Sequence, residues 1–314
     1  MNKSLKIVFM GTPDFSVPPL QELHDNSHEV CLIVTQPDRP KGRGRKMMPP
    51  PVKEAALKMG YKVIQPEKVN TDEFKAEMEK IKPDLYVVVA FGHILSQDIL
   101  SIPRLGAVNI HASLLPKYRG AAPIQWAVIN GEKETGVTTM FMDRGMDTGD
   151  ILLKQKVEIS DTDTAGSLHD KLAVTGAELL NKTLKEFETG NIKPVPQDNA
   201  KATYAPPLKK KDGHMDWSKS AKILECFIRG MTPWPGAFTF FNEKRLRIFK
   251  AKPLDIKSTE SPGTVVQGFP DELRVVAGNK SVLSILEIQG ASGKRLLIKD
   301  FLRGCQIPVK TILT

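Results

Sequence analysis

Apolar positions in the first 190 residues fall alternately into short unbroken runs and into helical spacing. The runs at 5–10, 30–35 and 85–90 are rich in Val, Ile and Leu and stop at glycine, polar or turn residues, and 106–110 is a shorter stretch interrupted by Asn109; each predicts a strand. Between them, residues 18–24, 51–59 and 72–81 predict helices, and 164–187 predicts a long amphipathic one. Pro51 opens its helix where a missing N–H costs nothing. Strands apolar on both faces, alternating with helices, predict a Rossmann-like α/β domain with a parallel sheet covered by helices. Ligands in such folds sit beyond the carboxyl ends of the strands, so the residues that follow each run carry the functional interest.

The periodicity then fails. Residues 189–207 hold Gly190, Pro194, Pro196, Pro206 and Pro207 without a repeating apolar position and read as a linker. A helical stretch at 218–229 follows, then five short strands at 237–241, 246–251, 263–267, 273–277 and 282–288, a pattern that predicts a small β-barrel of the oligonucleotide/oligosaccharide-binding (OB-like) kind. The expected division is therefore 1–189, a linker at 190–208, and 209–314, and a chain of 314 residues is long enough for two such cores.

Charge sharpens this division. Residues 1–208 carry 26 Lys and Arg against 26 Asp and Glu, whereas residues 209–314 carry 19 against 10 and so hold the whole net charge of +9. A neutral α/β unit joined to a basic barrel fits a catalytic part with a polyanion-binding part, although a charge bias that serves only solubility fits equally well. Cys31, Cys226 and Cys305 are scattered, without disulfide or zinc spacing. The first apolar run is too short for a signal-peptide core and no stretch is long enough to span a bilayer. A cytoplasmic monomer without membrane attachment is expected.

The densest polar cluster in an apolar setting is 109–116. Asn109 and His111 alternate at a strand end, so both side chains lie on one face of the sheet, where an amide and an imidazole suit an oxyanion in acyl transfer. Spacing alone fits two polar caps on a strand end at least as well. Residues 136–150 run from a strand through a glycine-rich loop bearing Asp143, Asp147 and Asp150. A carboxylate from such a loop can orient a histidine and stabilise its charge, but Asp and Gly are also ordinary turn residues. Neither GxGxxG nor GxxxxGK[ST] occurs, and His24 and His28 flank a turn, so no nucleotide cofactor and no metal are expected. The segment 35–51 mixes prolines and glycines with Arg39, Lys41, Arg43, Arg45 and Lys46. It reads as an irregular mobile loop over the ligand side of the sheet, suited to a phosphate backbone.

Asn109 to Pro116, continued by Lys117-Tyr118-Arg119-Gly120, resembles the signature of the folate-dependent formyltransferases, and 136–152 resembles their second signature. Four further stretches, 11–15, 35–51, 216–218 and 232–236, resemble the branch of that family acting on methionyl initiator tRNA. The resemblance covers nearly the whole chain. It implies 10-formyltetrahydrofolate as formyl donor, initiator methionyl-tRNA as acceptor, and Asn109, His111 and Asp147 as a catalytic trio. The methionyl amine would attack the formyl carbon directly, with Asn109 and a protonated His111 gripping the oxyanion and Asp147 behind the imidazole. It also implies folate contacts at Ser113, Leu114, Leu115, Pro116, Phe91 and Ile94, and tRNA contacts from the basic segment, Arg43 first. Rival readings are a sugar-nucleotide amine formyltransferase, a formyltetrahydrofolate hydrolase, and an RNA-binding protein on a relict enzyme fold. The basic segment and the basic barrel favour tRNA over the first, and the intact trio argues against the last.

Overall fold

The computed structural model describes residues 4–314 apart from Ser27, Arg43, Arg45, Phe269 and Ser292. The chain divides into two compact units, one formed by Met1–Pro123, Glu134–Glu158 and His169–Ala205, the other by Ile124–Lys133, Ile159–Leu168 and Pro206–Thr314. Two short segments of the expected first domain, 1–189, thus belong to the second unit, and most of the segment expected as a linker belongs to the first.

The elements up to residue 100 are β1 (Lys6–Gly11), α1 (Val17–Asp25), β2 (Glu29–Val34), β3 (Arg39–Lys41), β4 (Lys46–Met48), α2 (Pro51–Lys58), β5 (Val63–Ile64), α3 (Asp72–Ile81), β6 (Leu85–Val89) and α4 (Gln97–Leu100). There follow β7 (Ala107–His111), α5 (Pro123–Ile129), β8 (Glu134–Phe141), β9 (Ile151–Glu158) and α6 (Ala165–Thr189). The seven-stranded sheet has the order β5-β2-β1-β6-β7-β8-β9. The strands from β5 to β7 are parallel, whereas β8 runs antiparallel to both β7 and β9. The sheet is therefore mixed rather than wholly parallel. Chain order reverses at β1, which lies between β2 and β6, and the segments after β1 and β6 flank that switch point.

All five residues of β6 are buried, as its unbroken apolar run requires. Val8, Met10, Tyr86 and Val88 pack with Phe74 and Met78 of α3 in one cluster. Each such side chain contributes about 1.5–3 kcal/mol by leaving water. The hydroxyl of Thr71 caps α3 by accepting from the Phe74 N–H, and Lys82 ends it in a left-handed conformation. The segment 35–51 is not wholly irregular: β3 and β4 pair antiparallel, Arg39 opposite Met48 and Lys41 opposite Lys46. Proline is tolerated there because a two-stranded ribbon leaves outward N–H positions unpaired.

Burial holds the His28 imidazole below its ordinary value, against the opposing pull of Glu188. The folded state thus prefers the neutral ring. Its contribution is present above the unfolded histidine value and is lost as pH falls through the lowered one. The thermal midpoint is expected to drop on acidification from pH 7.5 to 5.5, and His28→Gln to flatten that drop; parallel pH profiles would contradict it.

The second unit adds α7 (Ala221–Met231), β10 (Ala237–Phe241), β11 (Lys244–Lys257), β12 (Val265–Gln267), β13 (Leu273–Val276), β14 (Ser281–Gln289), β15 (Leu296–Leu297) and α8 (Ile298–Gly304). Its antiparallel order is β10-β11-β14-β13-β12, with β15 on β14. The final residues join the two outer strands. Val265 donates to Thr311 O at 2.8 Å and Leu313 to Gly263 O at 2.9 Å, while Phe240 and Thr314 exchange bonds of 2.6 and 3.2 Å. This closes the small barrel. Among the described residues no helix is long and apolar enough to cross a membrane.

Residues 195–205 run as a strap within the first unit. Ile151 and Val195 exchange two 2.9 Å backbone bonds; Arg119 donates to Thr203 O at 2.9 Å and accepts from Ala205 at 2.7 Å. Backbone pairing of this kind leaves no apolar period in the sequence, and the segment therefore reads as a linker until its partners are seen.

Candidate active site

Asn109 and His111 stand on alternate positions at the carboxyl end of β7, Asn109 half-buried and His111 buried. Because β8 is antiparallel, the loop 142–150 leaves the sheet beside Ala107, whose carbonyl accepts from Met142 at 2.8 Å. The loop folds back far enough for Asp147 Oδ2 to lie 3.6 Å from His111 Nδ1, with both side chains largely shielded from solvent. That distance is an ion-pair approach and too long for a hydrogen bond.

The pair is braced by the turn after Pro116. His111 Nε2 donates to the Tyr118 carbonyl at 3.0 Å, and the Gly120 N–H donates to Asp147 Oδ2 at 2.8 Å. A carbonyl only accepts, so Nε2 carries a proton. Nδ1 is then an acceptor in the neutral ring and a second donor in the imidazolium, and it faces the Asp147 carboxylate. Gly120 has φ +122, and a Cβ there would lie 2.7 Å from Ala205 O, so only glycine presents its N–H in this way.

The folate candidates divide by exposure. Ser113 is buried and donates to Lys117 O at 2.6 Å, while its own carbonyl accepts from Thr138 Oγ1 at 2.6 Å. Leu115 is buried with Met140 and Ile151. These two shape the segment from inside, and Leu114 and Pro116 remain partly exposed. Phe91 lies in the core with its ring edge-on to His93, whereas Ile94 is 80% exposed. The Phe91 carbonyl accepts from Thr12 Oγ1 at 2.9 Å and Gln36 Nε2 at 3.3 Å, which ties together the segments after β1, β2 and β6.

Of the basic candidates, Arg43 and Arg45 lie outside the described residues. Lys41 and Lys46 are exposed at the end of the β3–β4 hairpin, and Arg39 donates to Gln36 Oε1 at 2.9 Å. At the hairpin base Lys53 and Gln65 hold the Asp38 carboxyl below its usual range. In the second unit, Arg245 lies 3.6 Å over the Phe238 ring, which stacks on His214, and Arg247 and Arg295 both face Phe249. Among the described residues no group of three His, Cys, Asp or Glu side chains could hold a metal.

The formyl transferase model matches residues 5–184, and the model for the formyl transferase C-terminal domain matches 207–306. The chain belongs to the formyltransferase family. It is 50% identical to the methionyl-tRNA formyltransferase of Caldanaerobacter subterraneus subsp. tengcongensis over 98% of this chain and 100% of that protein. It is 49% identical to the methionyl-tRNA formyltransferase of Acetivibrio thermocellus over 96% of this chain and 97% of that one. The N-formyltransferase of Helicobacter canadensis, solved with folinic acid and dTDP-3-aminofucose, shares the fold at a TM-score of 0.68 and 20% identity, over 91% of this chain and 99% of that one.

Within this formyltransferase several contacts escape a reading of the sequence. Tyr118 and Gly120 act through backbone atoms, which no side-chain pattern reports. Arg119 is buried and donates to Gln197 Oε1 at 3.1 and 2.7 Å and to Asn199 Oδ1 at 2.8 Å. A buried arginine signals a partner, but nothing in the sequence points to residues almost 80 positions away.

Proposed function

We propose that this chain transfers the formyl group of 10-formyltetrahydrofolate to the α-amine of methionyl initiator tRNA, with Asn109, His111 and Asp147 as the catalytic trio. The observation that carries the reading is the His111–Asp147 approach of 3.6 Å at the end of the strand bearing Asn109. Asn109 and the imidazolium of His111 stabilise the oxygen that becomes negative when the amine adds to the formyl carbon, before the bond from that carbon to N10 of the folate breaks and tetrahydrofolate leaves carrying the proton that the amine gives up. With Nε2 spent on Tyr118, His111 acts through Nδ1, as donor when charged and as proton acceptor when neutral. The folate lies against Leu114, Pro116 and Ile94, with Ser113, Leu115 and Phe91 shaping the wall from within. The folinic acid bound by the Helicobacter canadensis enzyme supports a folate donor, and the near full-length likeness to methionyl-tRNA formyltransferases supports the acceptor.

The deciding experiment is formyl transfer to methionyl initiator tRNA, with methionyl elongator tRNA and an amino-sugar nucleotide as controls. Activity on the sugar alone, or formate release without any amine, would end this reading.

The basic segment 35–51, with Arg39, Lys41, Arg43, Arg45 and Lys46, and the Arg–aromatic surface of the barrel are the tRNA-binding elements. Lys41→Ala combined with Lys46→Ala is expected to raise the KM for tRNA several-fold and to make the slope of log K against log salt shallower by about 0.7–0.9 per lost phosphate contact. A salt slope equal to the parent's would exclude phosphate contacts at these two lysines.

A further inference from the structure

Asp147 takes φ +56, a conformation that side chains other than glycine adopt reluctantly, in a loop whose neighbours 143–146 are exposed. Within the loop, Asp143 Oδ1 accepts from Gly145 N at 2.9 Å and Thr148 Oγ1 at 2.6 Å, which stiffens the tip without fixing its place. Fixing it falls to the strap. Gln197 Nε2 donates to the carbonyls of Asp147 at 2.9 Å and Gly149 at 2.8 Å, and its Oε1 accepts from Nε and Nη2 of Arg119. A glutamine amide can satisfy all four contacts only in this orientation, because carbonyls need the NH2 and the guanidinium needs the oxygen.

Arg119 itself sits between the two residues that brace the catalytic pair. Tyr118 holds His111 by its carbonyl, and Gly120 holds the Asp147 carboxylate by its N–H. The circuit His111, Tyr118–Gly120, Asp147, Gln197, Arg119 is thus closed, and it fixes both the carboxylate and the backbone of Asp147. We propose that Gln197, locked by Arg119, is a positioning residue that sets the Asp147 carboxylate against His111, so that the strap at 195–205 completes the catalytic unit. This deepens the proposed function and rests on Asp147 serving in it.

The test compares Gln197→Ala, Gln197→Glu and Asp147→Ala in the full-length enzyme, measuring kcat and both KM values with methionyl initiator tRNA and 10-formyltetrahydrofolate, together with thermal midpoints. Glutamate keeps, and strengthens, the bond to Arg119 but cannot donate to the two carbonyls. The anchor of the strap to Arg119 is therefore kept in Gln197→Glu, whereas its hold on the backbone of Asp147 is lost. Gln197→Glu is expected to lower the thermal midpoint no more than Gln197→Ala does and to lower kcat, measured well below that midpoint, about 100-fold, the scale of a misplacement near 1 Å, with both KM values little changed. Gln197→Ala is expected to lose kcat similarly. Parental kcat in Gln197→Glu, beside an inactive Asp147→Ala, would overturn the positioning role and leave the proposed function standing. An active Asp147→Ala would remove the carboxylate's role and the positioning role with it.

Discussion

His111→Ala is expected to slow formyl transfer about 10³-fold, and Asp147→Ala about 10²–10³-fold, with tRNA affinity nearly unchanged. The first figure combines loss of one charge-stabilising donor with loss of a group able to take the amine proton, effects that overlap in one side chain. The second is smaller because the imidazole and its Nε2 bond to Tyr118 survive, and only the partner of Nδ1 is lost. The cations proposed to meet the tRNA backbone lie elsewhere, so neither change is expected to alter the Kd for uncharged tRNA or its salt dependence. Measuring kcat on methionyl initiator tRNA beside that Kd checks both halves of the expectation. A variant that binds tRNA poorly would place these residues in recognition, and one that turns over at the parental rate would remove them from the chemistry.

The second large effect is expected from a single methyl group. Gly149 is buried where the loop re-enters the sheet, and a Cβ on it would lie 1.9 Å from the Phe141 carbonyl oxygen. The obstacle is backbone on a paired strand, so no side chain can swing aside. Gly149→Ala must therefore push β8 and the loop apart, straining the 2.9 Å bond from Phe141 N to Asp150 O. Overpacking of this kind costs about 1–3 kcal/mol, which corresponds to a fall of about 2–12 °C in the thermal midpoint. Asp147 lies two residues upstream, so kcat should fall well beyond what the fraction unfolded explains. A melting curve and a kcat measured well below the midpoint decide it; if both match the parent, the loop does not pass as closely under Phe141 as described.

Much of the α/β unit is legible because burial on both faces writes unbroken apolar runs, as in β6, and because α6 carries its amphipathic period over many turns. Strand direction is not written in that way. The side chains of β8 read alike whether it runs with or against β7, and the antiparallel turn appears only in the pairing. The β3–β4 hairpin escapes notice because Pro40 and the flanking glycines carry loop signals, while the pairing uses backbone groups. At the site, alternation alone places Asn109 and His111 on one face. It does not select Asp147 from Asp143 and Asp150; that choice comes from family resemblance, and the folding back of the loop is visible only in the tertiary structure. Gln197 has no signal at all, being a lone amide in a polar, proline-rich stretch whose meaning lies entirely in its partners.

The closure of the second unit by its last residues has a bearing on handling the protein. Thr311 and Leu313 cover the open side of β12, and Thr314 covers that of β10. Trimming residues 310–314 would uncover two rows of unpaired backbone donors and acceptors at once, a template for strand addition between molecules. Such a trimmed chain would be expected to self-associate in solution.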